Sequence, residues 1–362
     1  ECDKAQVEDI KETAIELVEE NADLTYEGTD PGIVFFYGEI PKEVEEFSKG
    51  AIQGIVKMKT AINLLKRFRA EAVGFKNGRG IIGGLAAIGG TLKGDHTYEL
   101  IAYRTPENRG TPRRICKESV IEMDRIMGNQ TFNNIDPETG RILITPHGPD
   151  PVLYGVRGES PEMVREAHNL IRSEEPIERW IIFRTNQGTD AHLRLVKSVS
   201  EVKPYNPVVV CGVVASKPRV IAGGHVIFSI SDGSGSVDCA AYEPTGRLRD
   251  VARLLIEGDK VEVYGGVRPP SEGNPMTINL EKIRVVKVAP LKRLMNPICP
   301  SCGKRMKSMG RGKGFRCKRC GFKDPGAEKI LVEVERGVGE EIEPPPYHRE
   351  KDCLLYTSPS PR

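Results

Sequence analysis

At 362 residues, 38% hydrophobic and 29% charged, the chain is too long for one ordinary core and divides into about two to four domains. No apolar run approaches the roughly 18 residues of a membrane span and no basic-then-apolar leader opens the sequence, so a membrane-spanning class is excluded and secretion is unsupported. The net charge of +2 conceals an asymmetry: acids dominate residues 1–46, whereas 299–323 hold nine Lys or Arg and no acid.

In chain order, residues 1–70 read as helical, because 7–20 (VEDIKETAIELVEE) and 44–69 place apolar residues at three- and four-residue intervals. The small-residue stretch NGRGIIGGLAAIGG (77–90) follows, with Gly78, Gly80 and Gly83 in the spacing G-x-G-x-x-G. Then come a strand at 97–104 (TYELIAYR), a helix at 117–127 and short strands at 130–135, 141–145 and 151–156. Residues 160–173 predict a helix with Ser at its N-cap and Pro at its first position, and 179–185 (RWIIFRT) predict a further strand. The order β-α-β-β-(β)-α-β predicts a ferredoxin-like domain over 94–200. From 204 to 290, strands at 207–215, 225–231, 236–242, 259–265 and 276–286, with a helix at 245–256 after the third, have the order of an OB-fold barrel. Another small barrel or sandwich satisfies the same strand count. Residues 327–362 read as a charged, then proline-rich, partly ordered extension, and CLLYTSPSPR at its end continues no pattern and reads as extraneous. The chain opens on Glu1 rather than Met, so the expectation is a missing start.

The strongest chemical signal is Cys299, Cys302, Cys317 and Cys320, spaced C-x2-C-x14-C-x2-C. Two knuckles presenting four thiolates predict one closed, structural Zn²⁺ in a zinc ribbon at 296–326. Cysteines paired for metal, with the other five scattered, place the chain in a reducing cytoplasm. Around them Lys304, Arg305, Lys307, Arg311, Lys313, Arg316, Lys318 and Arg319 surround Phe315, which supplies cations for phosphates and a ring for a base. A solvated basic face is the plainer account of the same charges.

A Rossmann reading of the glycines needs a strand immediately before them, whereas 55–75 reads as a helix; no G-K-[ST] follows for a Walker loop. What remains is a loop between helices, either cradling a phosphate with its amides and Arg79 or allowing close helix packing. Two further clusters mix polar residues into strand ends: Tyr154, Arg157 and Glu159 in HGPDPVLYGVRGES, and Asn186, Asp190 and His192 in TNQGTDAHL. Taken alone, His192 is an ordinary surface histidine.

In order and spacing, GRGIIGGLAAIGG, YELIAYR, PVLYGVRGES, TNQGTDAHL, GGHVIFSI, CAAYEPT, GDKVEVYG, INLEKI and NPICPSCGKRMKSMGRGKGFRCKRC resemble the family of archaeal tRNA 2-agmatinylcytidine synthetases, to about Lys351. The resemblance implies a multidomain α+β protein: the remainder of a kinase-like α/β ATP domain over 1–93, then the ferredoxin-like domain, OB-fold and zinc ribbon. It implies a ligase that takes ATP to AMP, phosphorylates the C2 oxygen of the wobble cytidine in the CAU-anticodon isoleucine tRNA, and displaces that phosphate with agmatine, so that the tRNA reads AUA. Mg²⁺ and cations are implied for the phosphoryl charge. The family's acidic G-I-D-D-T-D-S-type motif, part of its ATP and Mg²⁺ site, is absent from this sequence, which leaves the catalytic residues unassigned. Gly78, Arg79, Gly80, Gly83 and Gly84 then read as the phosphate-side wall of the ATP site. Tyr154, Arg157, Glu159, Asn186, Asp190 and His192 read as the cleft, with Glu159 and Asp190 against the two cations of agmatine. Lys304, Arg305, Arg311, Lys313, Phe315, Arg316, Lys318 and Arg319 read as the tRNA contact. From a different class, a non-catalytic nucleic-acid binder using only barrel and ribbon, or a replication factor preferring single-stranded DNA, accounts for the C-terminal half alone.

Overall fold

The computed structural model describes residues 6–334 except 137, 138 and 244, together with 336 and 338. The rest of the tail, including CLLYTSPSPR, lies outside the described residues.

The first unit runs α1 (Val7–Asn21), β1 (Gly32–Phe35), α2 (Lys42–Ile52), α3 (Met58–Arg67), β2 (Glu71–Gly74) and α4 (Gly80–Gly89). It corrects the helical reading of 44–69 and of 55–75. The first is two helices broken around Gly54, and the second contains a strand. Four residues, EAVG, carry no alternation to find from sequence; the strand exists because it pairs antiparallel with β1, from Gly32 opposite Gly74 to Phe35 opposite Glu71. The glycines therefore sit in a strand–turn–helix, not between helices. The dinucleotide reading still fails, because a Rossmann crossover needs parallel strands and this two-stranded sheet is antiparallel. Val44, Phe47, Ala61, Leu65 and Leu85 form the core.

The second unit is β3 (Thr97–Arg104), α5 (Lys117–Met127), β4 (Thr131–Phe132), β5 (Val152–Gly158), α6 (Pro161–Leu170) and β6 (Ile177–Thr185). Its antiparallel sheet has the order β4-β5-β3-β6, the ferredoxin-like arrangement. The Ser160 hydroxyl accepts the Met163 amide at 3.3 Å and starts α6. The strands expected at 130–135 and 141–145 shrink to β4 and a single Ile135–Ile142 bridge. Asn133, at φ +58, leaves the extended region and ends β4. Helices α5 and α6 bury Leu100, Val156, Met123 and Val164 against one face of the sheet. Alternation along the strands sends Glu99, Ile101, Arg157 and Phe183 to the opposite face.

A short β7 (Arg194–Leu195) leads into β8 (Pro207–Val214), β9 (Arg219–Val220), β10 (Val226–Ser231), β11 (Ser236–Ala241), α7 (Arg247–Leu254), β12 (Lys260–Arg268) and β13 (Thr277–Lys287). Pairing of β8 with both β12 and β10, and parallel pairing of β11 with β13, closes a five-stranded barrel in OB order. Val210, Phe228, Ile230, Ile278 and Ile283 fill it.

Beyond it, β14 (Leu291–Met295) pairs antiparallel with β18 (Ile330–Val334), and between them lie the ribbon strands β15 (Lys307–Ser308), β16 (Phe315–Arg316) and β17 (Lys323–Asp324). Within the extension read at 327–362, the ordered part is 330–334, whose ILVEV finds a partner strand on the far side of the ribbon. This stalk is tied to the barrel by Arg336. Its guanidinium reaches the buried Asp259 carboxylate at 2.8 Å and the carbonyls of Leu254 and Ala289 at 2.6 and 3.2 Å. Burial raises the Asp259 pKa, but Arg336 and the amides of Ala289 and Ile256 outweigh it and hold the carboxyl below its usual range.

Candidate nucleic-acid interface and metal centre

The four ribbon cysteines are brought together by two tight turns. Their sulfurs all lie within 4.8 Å of one another, with Cys299 to Cys320 at 3.5 Å and Cys302 to Cys317 at 3.4 Å. A tetrahedral zinc with Zn–S bonds of about 2.3 Å requires sulfur–sulfur edges of about 3.8 Å, so the set fits the ion with little adjustment. Each knuckle also aims backbone amides at its first sulfur. The amides of Cys320 and Arg319 pull the Cys317 pKa down to about 6, and those of Ser301 and Cys302 lower Cys299 against the opposing effect of burial. Cys299, Met306, Phe315 and Cys317 are the ribbon's buried residues.

That burial corrects one sequence expectation. Phe315, at 6% exposure, packs under the metal site rather than offering its ring to a base. Phe322 packs against the same cluster from its partly buried position. Lys304, Arg305, Lys307, Arg311, Lys313, Arg316, Lys318 and Arg319 are all exposed, so the interface here is cationic without an aromatic platform.

The glycine helix gives a divided result. A Cβ on Gly80 would fall 2.3 Å from the Gly32 nitrogen, and one on Gly84 would meet the Val34 side chain at 3.0 Å, so both permit α4 to lie against β1. Gly78 adopts φ +66 in the turn and is buried. The amides of Gly80, Ile81 and Ile82 donate to the carbonyls of Asp30, Gly78 and Arg79. They are therefore engaged within the chain and form no anion cradle, which corrects that part of the phosphate reading. Gly83, with open space around it, and Arg79 are exposed.

The two polar clusters reach the same end of the ferredoxin-like sheet, since Gly158 pairs with Tyr98 and Tyr98 with Arg184. Within them the residues part company. Tyr154 is wholly buried on the helix-covered face, its hydroxyl 2.7 Å from His168 Nδ1, and so is corrected from a cleft residue to a core residue. Arg157, three residues on, faces the open side and donates to Glu99 at 3.1 Å. Glu159 is exposed, and the Asn186 carbonyl closes its own turn by accepting the Thr189 hydroxyl at 2.6 Å.

Asp190 and His192 instead face the barrel. The buried Lys282 ammonium donates to Asp190 at 2.6 Å, and His192 Nε2 lies 2.8 Å from Glu281, whose carboxylate raises the histidine pKa against the effect of burial. Asp190 thus already pairs with one ammonium through one carboxylate oxygen, while its side chain stays 38% exposed. The same loop receives Gln53 from the first unit, whose side-chain amide donates to the carbonyls of Ala191 and Leu193 at 3.2 and 3.3 Å. Residues 190–193 therefore join three units. Sequence reading passed over Glu281 and Lys282, because a register shift in the β12–β13 pairing turns Lys282 inward next to the buried Ile283 and breaks the strand's alternation.

Among the described residues, the only grouping of three or more His, Cys, Asp or Glu side chains within ligating reach is the four cysteines. Four thiolates do not suit Mg²⁺, which takes oxygen ligands. Nor is any helix among the described residues long and apolar enough to cross a membrane.

Comparison with known proteins matches three parts of the chain to family models: a TiaS FLD domain at 78–192, an OB-fold nucleic acid binding domain at 208–286 and a TiaS C-terminal zinc ribbon domain at 296–338. The chain is 42% identical over 327 residues to the isoleucine-tRNA 2-agmatinylcytidine synthetase TiaS of Methanosarcina mazei, covering 88% of this chain and 74% of that protein. Among solved structures, it resembles a complex of TiaS with its isoleucine tRNA and ATP at TM-score 0.80 and 41% identity, covering 97% of this chain and 81% of the other. It also resembles a complex of TiaS with the same tRNA, AMPCPP and agmatine at TM-score 0.78 and 39% identity, covering 92% and 77%.

Proposed function

The chain belongs to the isoleucine-tRNA 2-agmatinylcytidine synthetase (TiaS) family, and from that premise we propose that it is an ATP-dependent, cytoplasmic ligase. It joins agmatine to C2 of the wobble cytidine in the CAU-anticodon isoleucine tRNA. The observation that carries this reading is an identity of 42% extending over 88% of the chain. A binder built on barrel and ribbon alone leaves the matched residues 78–192 without a role.

In this reading the ribbon's thiolates hold Zn²⁺ as a structural ion, and the exposed cations from Lys304 to Arg319 engage the tRNA backbone. A cytidine C2 oxygen is a poor leaving group until phosphorylated, and ATP supplies that phosphate when bound. Arg79, on the exposed turn entering α4, pairs with phosphate charge, and Gly83 leaves the helix surface open to close approach. Arg157, Glu159 and Asn186, at one end of the ferredoxin-like sheet, line the side where agmatine enters, and Glu159 takes one of its cations. Asp190 and His192 position that loop through Lys282 and Glu281 rather than touching substrate.

The test is transfer of labelled agmatine to a CAU-anticodon isoleucine tRNA transcript by the full-length gene product with ATP. Label dependent on ATP and on the wobble cytidine is expected; a tRNA that is retained yet stays unlabelled overturns the reading. Glu159→Gln is expected to raise the KM for agmatine and leave tRNA retention unchanged.

A further inference from the structure

The chain has a single tryptophan, and it is not in a core. Trp180 lies on β6, the edge strand of the ferredoxin-like sheet, with 41% of its surface exposed. Two side chains of α6 frame the indole. The His168 ring centre is 5.4 Å away, tilted by 51°, and the Arg165 guanidinium stands 5.8 Å from the indole centre. His168 is held in place by the buried Tyr154 hydroxyl at 2.7 Å, and burial lowers its pKa, so it presents a neutral ring. The alternation of ring and cation continues along the strand. On the same face as Trp180, Arg184 reaches His96, which packs edge-on against Tyr98 at 5.5 Å; on the opposite face of the strand Arg179 stands 4.8 Å from the Tyr103 ring. The acid that precedes Arg179, Glu178, is engaged by Arg109 and Arg179.

An exposed indole on an unpaired strand edge has an apolar surface that water covers poorly, while the arginines beside it need anions. An unpaired nucleotide supplies both: a base to stack on the ring and phosphates for the guanidinium groups. A duplex supplies only the phosphates, because its bases are stacked on one another.

We propose that the β6 edge, centred on Trp180, is a second RNA-binding surface, where an unpaired base of the tRNA stacks on the indole and Arg165 pairs with a neighbouring phosphate. This rests on the tRNA-modifying reading above and adds to it a contact remote in sequence from the cationic ribbon. It also restores to the molecule the aromatic platform that the burial of Phe315 removes from the ribbon.

Because Trp180 is the sole tryptophan, its fluorescence reports this site alone. The intact chain is titrated with CAU-anticodon isoleucine tRNA transcript, and retention is followed independently by gel shift. Retained tRNA is expected to quench the emission and to shield it from acrylamide. Trp180→Ala should raise the Kd on the order of tenfold, and Trp180→Phe should keep most of the affinity. Trp180→Leu, which still covers the neighbouring apolar surface, should lose affinity as Trp180→Ala does, at an unchanged melting temperature and zinc content. Arg165→Gln should weaken binding a few-fold and flatten its salt dependence. Retention with unaltered emission and unaltered acrylamide access overturns the proposal, as does a Trp180→Ala chain that binds like the parent. A dimer that Trp180→Ala dissociates also overturns it and assigns the edge to a second copy of the chain. Failure to retain the tRNA at all overturns the functional reading, and this proposal with it.

Discussion

The barrel and the ribbon sit next to each other in the chain and are stabilised by opposite means. The barrel closes on itself and buries two dozen residues, almost all aliphatic, with Phe228 and Ile230 at its centre. The ribbon buries Met306 and Phe315 and two of its own metal ligands, and little else. One is held by apolar surface removed from water, the other by coordination. The difference explains where the charge lies. A module stabilised by burial could not carry nine cations and no acid within 25 residues without paying in self-repulsion, whereas four thiolates around one Zn²⁺ place a net charge of −2 beneath them. The metal therefore fixes the ribbon's fold and moderates the field that its cationic face generates.

The comparison breaks most readily at the metal. Removing Zn²⁺, or Cys317→Ser, should cost the ribbon the roughly 10–16 kcal/mol that coordination contributes in similar modules. Limited proteolysis should then cut within 296–327 and spare the barrel; a barrel that melts together with the ribbon would show that the two are not independent. Next in size, Phe228→Ala should destabilise the barrel by about 3–5 kcal/mol in chemical denaturation, with zinc content unchanged.

Asp259→Ala probes the joint between the two and should cost a similar or slightly smaller amount, about 3–5 kcal/mol, because Arg336 is left buried and unpaired. Hydrogen exchange at β14 and β18 should report the loosened stalk. The same carboxylate predicts acid sensitivity. Its folded pKa lies below the unfolded value of about 3.9, so its contribution is complete above that pH and is lost as the pH falls through the lowered value. The smallest effect concerns His192. Its folded pKa lies above the unfolded value of about 6.5, so the stabilisation it gains from Glu281 is present below that pH and is lost as the pH rises through the raised value. Since both side chains are about a third exposed, solvent screening limits the pair to about 1 kcal/mol or less. An NMR titration should show Glu281→Gln moving the histidine pKa down; an unmoved pKa would mean that the contact is not made in solution.

The local rules that sequence carries account for much of the architecture. Runs rich in Val or Ile at 207–215 and 276–286, the Ser-Pro start of α6 and the C-x2-C pairs are each written within a few residues, and the barrel, the ferredoxin-like order and the metal site follow from them. What sequence left open was decided across distance. The strand β2 exists because β1 lies forty residues away to pair with it, and Gly80 and Gly84 prove to be packing positions only once that pairing is seen. Tyr154 and Arg157 share a motif but point to opposite faces of one strand. Asp190 acquires a partner at Lys282 that no local pattern links to it. Periodicity determines which residues form an element and which spacing can bind a metal, because both depend on near neighbours in the chain. Which side chains meet, and which charges are already satisfied, depends on long-range packing, and only the tertiary structure decides it.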